Sequence, residues 1–210
     1  MRNVVLCGFM GCGKTTVGRQ LAALSGRRFV DMDEYIEQQA GMAVSEIFRQ
    51  YGEDDFRRRE REACRALARQ TGLVIAAGGG ALTFAANVEA LRPSCVIVLL
   101  EVKPETVLTR LKGDTSRPLL AREDKETAVR ELFAARLPLY RAAAQYTVDG
   151  EQPPLAVAQT IQALLSGHQY RGASHLYLFS VIVSYETTAI VFVLCLSTLS
   201  LSSFLCYPVR

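Results

Sequence analysis

Along most of this chain, short uninterrupted apolar runs alternate with stretches whose apolar residues recur at helical spacing. The runs lie at Val4–Cys7, Phe29–Val30, Leu73–Ala77, Val96–Leu100 and Tyr146–Val148. Runs of Val, Ile and Leu without polar alternation mark strands covered on both faces, the condition of a parallel sheet. The intervening pattern is helical. Val17, Leu21 and Leu24 share a face, and Gly26 offers a stop. Ser45 can cap a segment through Tyr51 that Gly52 ends. Phe56, Ala63, Cys64 and Leu67 line one side of a longer helix. Pro104 suits a first turn ahead of Val107, Leu108 and Leu111. Val129, Leu132, Phe133, Arg136, Leu137 and Tyr140 share a further face, which Pro138 is expected to bend or interrupt. Pro153-Pro154 opens a last helix through Leu155, Ala158, Ile161 and Leu165, closed by Gly167. Strand and helix in alternation predict an α/β domain on a parallel sheet.

The pattern changes after Gly167. Between Leu176 and Val209 the only charged residue is Glu186, and the stretch 187–209 is long enough to span a bilayer but holds seven Ser or Thr. A tail anchor, extra strands, a hydrophobic partner contact and an extension with no selected fold all fit. The lack of caps and turn signals favours the last. The expected organisation is therefore a domain over 1–167 and a hydrophobic extension over 168–210. The 24 basic residues nearly balance the 21 acidic ones, so no general attraction to nucleic acid or membrane follows. Most of the basic residues are Arg, whose planar fork suits carboxylate and phosphate ligands. The six cysteines show no C-x-x-C spacing and no His partners; Cys7 and Cys95 sit within apolar runs as small hydrophobes. A reducing, cytoplasmic setting is expected, with no room for a signal peptide ahead of the first strand.

The sharpest chemical signal is Gly8-Phe-Met-Gly-Cys-Gly-Lys-Thr15, which satisfies G-x-x-x-x-G-K-[ST] between a strand and a helix. Gly8, Gly11 and Gly13 let backbone N–H groups turn inward on phosphate oxygens, and the helix N-terminus adds its positive end. Lys14 supplies a cation for the β- and γ-phosphates, and the Thr15 hydroxyl is placed for Mg²⁺. The chain is thus expected to bind a nucleoside triphosphate through Gly11, Cys12, Gly13, Lys14, Thr15 and Thr16.

Weaker signals surround it. Asp31 and Asp33 follow the second strand, where strand alternation would point both to one side; one could hold hydrated Mg²⁺ and one face an acceptor hydroxyl. A plain helix N-cap is the other reading. Arg57 and Glu60, three apart, can pair on one helix face, or belong to a solvated run of Arg and Glu. Gly78-Gly79-Gly80 follows the third strand, where an absent Cβ lets the backbone approach a ligand. The polar segment Asp114–Asp124, with Arg117-Pro118 and Arg122, reads as a lid or as an ordinary surface loop. Ala76-Ala77 supply no acidic residue ahead of the glycines.

Together, the phosphate loop, D-x-D, F-R-x-x-E, glycine triplet, Arg-Pro and R-x-x-x-Y resemble the shikimate kinase family in order and approximate spacing, over about residues 1–167. The resemblance implies a P-loop kinase-type three-layer fold with a five-stranded parallel sheet. It implies ATP- and Mg²⁺-dependent phosphorylation of the shikimate 3-hydroxyl, by an enzyme expected to act as a monomer. By that resemblance Asp33 contacts the acceptor hydroxyls and serves as base, and Asp31 with Thr15 holds the metal. Arg57 and Arg136 clamp shikimate, with Glu60 fixing Arg57 and Gly79 and Gly80 giving backbone contacts. Lys14 and Arg117 neutralise the transferring group, and Arg110 flanks the adenine. Cys12 stands where Ser or Ala is commoner. Other readings are a gluconate or nucleoside monophosphate kinase, and a nucleotide-binding module held at a membrane through 176–209.

Overall fold

A computed structural model describes residues 1–112 and 124–167. The chain runs β1 (Asn3–Cys7), α1 (Lys14–Ser25), β2 (Arg28–Asp31), α2 (Met32–Ala40), α3 (Val44–Ala68) and β3 (Leu73–Ala76). A single 3-10 turn (Ala81–Thr83) then precedes α4 (Ala85–Leu91), β4 (Cys95–Glu101), α5 (Pro104–Arg110), α6 (Lys125–Ala143), β5 (Tyr146–Asp149) and α7 (Pro154–Gly167). All strand pairs are parallel, in the order β2-β3-β1-β4-β5. β1 is central and buried along its whole length, with Val4 paired to Val74 and Val96, and Leu6 to Ala76 and Val98. This is why its sequence is continuously apolar: helices cover both faces. α1 lies against α7 and the sheet. Gly18 allows that approach, because a Cβ there would meet the Phe29 ring at 2.5 Å.

Chain order places the functional site. From β1 the chain moves out to β2, returns to β3 beside β1, then crosses to β4 on the other flank. Connections leave the carboxyl ends of β1 and its neighbours in opposite directions, opening the crevice where such sheets bind ligands.

The strands and most helices lie where the apolar pattern puts them, and Gly26 ends α1 in the left-handed conformation expected of a C-cap glycine. Gly52, at φ 79° and ψ 179°, breaks α3 into two helical segments, as its place after Tyr51 predicts. Three details differ. Ala43, not Ser45, is the N-cap of α3; the Val44 amide is held instead by the Glu37 carboxylate at 2.9 Å, so no capping side chain is needed. Pro138 does not interrupt α6, which continues through it to Ala143. β2 stops at Asp31, so alternation along a strand does not relate Asp31 to Asp33; Asp33 sits in the first turn of α2. The lid segment with Arg117 and Arg122 and the extension 168–210 lie outside the described residues.

Candidate active site

The phosphate loop is built from backbone that only glycine adopts readily. Gly13 caps α1 at φ 99°, and Gly8 stands at φ 139°, where a Cβ would lie 2.7 Å from the Leu100 carbonyl oxygen. Lys14 arches over its own loop, donating from Nζ to the carbonyls of Gly8 at 2.8 Å and Phe9 at 2.9 Å. Cys12 is buried beneath, its Sγ 3.7 Å from the same Nζ. Neighbouring Cys7 is inert by burial, which pushes its thiol up to about 12.

A cavity of about 460 Å³ opens over this loop, within the range of small-molecule sites. Gly11, Cys12, Gly13, Lys14, Thr15 and Thr16 line it from one side, and Asp31, Asp33, Ala77 and Gly79 from another. Arg110, at the end of α5, closes a third side and donates to the carbonyls of Gly11 and Gly150. Gly150, Gln152 and Pro154, from the connection between β5 and α7, also line the cavity. No sequence motif marks them, although a turn at the carboxyl end of a strand-like run is the signal that points there.

Thr15 and Asp31 meet across the cavity, the hydroxyl donating to Asp31 Oδ2 at 2.9 Å. Asp31 also caps α2, its Oδ1 accepting from the Asp33 amide at 3.1 Å. This aspartate is thus the N-cap of α2, and its second oxygen faces the phosphate loop. No group of three or more potential ligand side chains occurs among the described residues. One hydroxyl and one carboxylate side by side suit Mg²⁺, which keeps waters and phosphate oxygens as its other ligands.

Arg57, Glu60, Gly80 and Arg136 do not line this cavity. They join it through the glycine triplet at the end of β3. A Cβ on Gly78 would meet Asp33 Oδ1 at 2.7 Å and Glu60 Oε1 at 3.2 Å; one on Gly80 would meet Arg57 Nη1 at 2.9 Å. The Gly79 carbonyl accepts from Arg136 Nη1 at 3.2 Å and from the Tyr140 hydroxyl. The triplet thus gathers side chains from α2, α3 and α6 onto one strand end. Tyr140 follows Arg136 by one helical turn, and burial pushes its hydroxyl up to about 12, so it remains a donor.

Glu60 is almost wholly buried and pairs with Arg57 Nη1 at 3.1 Å. Burial raises its carboxyl above the ordinary range, outweighing the opposing pull of Arg57; the charge of Asp33 adds to the rise and that of Arg136 opposes it. Arg57 is held on its other edge by Glu53, through Nε at 3.1 Å and Nη2 at 2.9 Å.

A phosphate loop after the central strand of this sheet, with paired aspartates and an arginine cluster beside it, defines a P-loop kinase acting on small molecules. Comparison with known proteins narrows the class. The family model for shikimate kinase matches residues 10–166. Shikimate kinase of Caldanaerobacter subterraneus subsp. tengcongensis is 46% identical over 149 residues, covering 71% of this chain and 86% of that one. The structure of shikimate kinase from Acinetobacter baumannii in complex with shikimate superposes with a TM-score of 0.77 at 41% identity, covering 81% of this chain and 96% of the other. That of Bacteroides thetaiotaomicron gives 0.72 at 33% identity, over 79% and 98%. The chain belongs to the shikimate kinase family.

Proposed function

We propose that the protein transfers the γ-phosphate of ATP to the 3-hydroxyl of shikimate, giving shikimate 3-phosphate and ADP in aromatic amino acid biosynthesis. The observation that carries this reading is the glycine triplet, which gathers Asp33, Arg57, Glu60 and Arg136 beside the phosphate-loop cavity. A small carboxylated polyol needs guanidinium forks for its acid and an acceptor for its hydroxyl proton, and these residues supply both.

Phosphoryl transfer asks for alignment and charge neutralisation more than for covalent chemistry. Lys14 and the loop amides bind the β- and γ-phosphates, with Thr16 beside them. Arg110 flanks the adenine, and Arg117, assigned by its sequence motif, neutralises charge on the transferring group. Thr15 and Asp31 hold Mg²⁺, which when bound neutralises phosphate charge and fixes the geometry of the tail. Arg57 and Arg136 bind the shikimate carboxylate and ring hydroxyls, with the Gly79 and Gly80 backbone against the ring. Asp33 receives the proton of the 3-hydroxyl as it attacks. Neither a nucleotide-base site for a second substrate nor a nucleic-acid surface is part of this reading.

ADP release across shikimate, gluconate and AMP tests it: turnover with shikimate is expected, and its absence would sink the assignment. The catalytic unit is 1–167, a cytoplasmic monomer. Four cysteines among the described residues are free and buried, in keeping with a reducing compartment. No helix among the described residues is long and apolar enough to cross a membrane. Protein truncated after Gly167 should keep full turnover and elute as a monomer; lost activity would make the extension part of the enzyme.

A further inference from the structure

Phe84 breaks two local rules at once. It is the N-cap of α4, where Ser, Thr, Asp or Asn would bond the exposed amides, and it makes no capping hydrogen bond. Its large apolar ring is also 41% exposed. A residue that offends both capping and burial is expected where function compensates. What the ring touches supplies the compensation: the Arg57 guanidinium carbon stands 5.1 Å from its centroid, and 5.3 Å from that of Phe56. The guanidinium thus has aromatic contacts from two elements, Phe56 on its own helix and Phe84 from the far side of the glycine triplet.

The fork's edges are occupied too. Nε, one Nη1 and one Nη2 direction point at Glu53 and Glu60, leaving the remaining N–H donors of the guanidinium for a ligand. The Gly80 backbone packs against the same group. Without the Phe84 ring, carboxylates would hold the fork in its plane on the α3 side, while nothing from α4 limited its tilt.

We propose that Phe84 is a positioning residue for acceptor recognition: its ring fixes the tilt of Arg57, so that the free donors of the fork meet the acceptor carboxylate in one orientation. This rests on the assignment of Arg57 to shikimate binding, and deepens it. The contact is electrostatic and dispersive, so it asks for an aromatic ring rather than for apolar volume.

Steady-state kinetics of Phe84→Ser, Phe84→Leu and Phe84→Tyr, with thermal melts, test the proposal. Ser restores a preferred cap, so that variant should melt no lower than wild type while its shikimate KM rises about two- to fivefold, the range of an exposed cation–π contact. Leu keeps the volume and should show the same rise; Tyr keeps the ring and should match wild type. The ATP KM should stay fixed in all three, and in an Arg57→Lys background the Phe84 substitutions should add little. A shikimate KM within error of wild type in Ser and Leu would overturn the proposal, as would an equal rise in Tyr or a parallel rise in ATP KM. Wild-type protein with no shikimate turnover would instead overturn the assignment of function.

Discussion

Replacing Gly78 by alanine sets a methyl carbon 2.7 Å from Asp33 Oδ1 and 3.2 Å from Glu60 Oε1. Ordinary van der Waals contact begins near 3.4 Å, so the Asp33 carboxylate must retreat by about 0.7 Å. The backbone itself offers no obstacle, since none of the three glycines has positive φ. Asp33 is short and sits in the first turn of α2, so it yields by rotating rather than sliding. A displacement near 1 Å of a reacting group costs up to about 10²-fold. The expected kcat is therefore lower by about 10- to 100-fold, or about 1.4–2.7 kcal/mol of barrier. The acceptor KM should move much less.

The neighbouring glycines are the controls. Gly80→Ala presses on the far end of a flexible side chain, Arg57 Nη1 at 2.9 Å, and should raise the shikimate KM several-fold with kcat largely kept. Gly79→Ala meets nothing closer than the Met10 amide nitrogen at 3.8 Å and should leave both side chains in place. Steady-state ADP release with saturating co-substrate reads all three, and circular dichroism melts confirm the fold. Gly78→Ala with kcat within twofold of wild type and an unchanged melt would refute the reasoning.

Lys14→Met should lower turnover by about 10²-fold or more, because the cation facing the transferring phosphate is lost; an unchanged circular dichroism spectrum with residual high activity would contradict this. Arg136→Lys replaces a fork that also reaches the Gly79 carbonyl by a point charge, and should raise the shikimate KM while the ATP KM stays put; wild-type kinetics would place Arg136 outside the acceptor site. Glu60→Gln should change the pH dependence of stability. The folded carboxyl titrates above its unfolded value, so the fold binds its proton more tightly and wild type loses this contribution as pH rises from about 4.5 through the raised value. Denaturant melts should show wild type gaining on the Gln variant as pH falls through that window; a difference that grows with rising pH would reverse the assigned sign.

The two halves of the site differ in how far the sequence discloses them, for a physical reason. The phosphate loop is made by consecutive residues whose backbone angles and amides do the binding, so spacing alone identifies it. Its strand and helix were legible for the same reason. The residues proposed for the acceptor half lie at positions 33 to 140 and meet only through the sheet order, so their motifs were legible as a set rather than one by one. Capping was the least legible layer. The Val44 amide is held by Glu37 from the preceding helix, a contact that no local rule at Ser45 anticipates. Asp31 and Asp33 were placed together correctly, though on a strand argument that fails: the cap of α2, not pleating, aims them. α4 was not foreseen, because its seven residues bury only Asn87 and Leu91 and carry no favoured cap.

The triplet explains why the acceptor half has to be built this way. β3 ends beside β1, so the residues after it lie level with the phosphate loop. Any side chain at position 78 or 80 would stand where the Asp33 carboxylate or the Arg57 guanidinium now stands. The Asp33 carboxylate and the Arg57 guanidinium therefore pack against this strand end only because it has no Cβ. Glycine is also the residue with the greatest backbone freedom to lose. Arg136 and Tyr140 answer that by donating to one carbonyl, Gly79, from successive turns of α6. Position 79 is where α6 holds the triplet, so removing either donor should loosen Asp33 and Arg57 together without touching them directly.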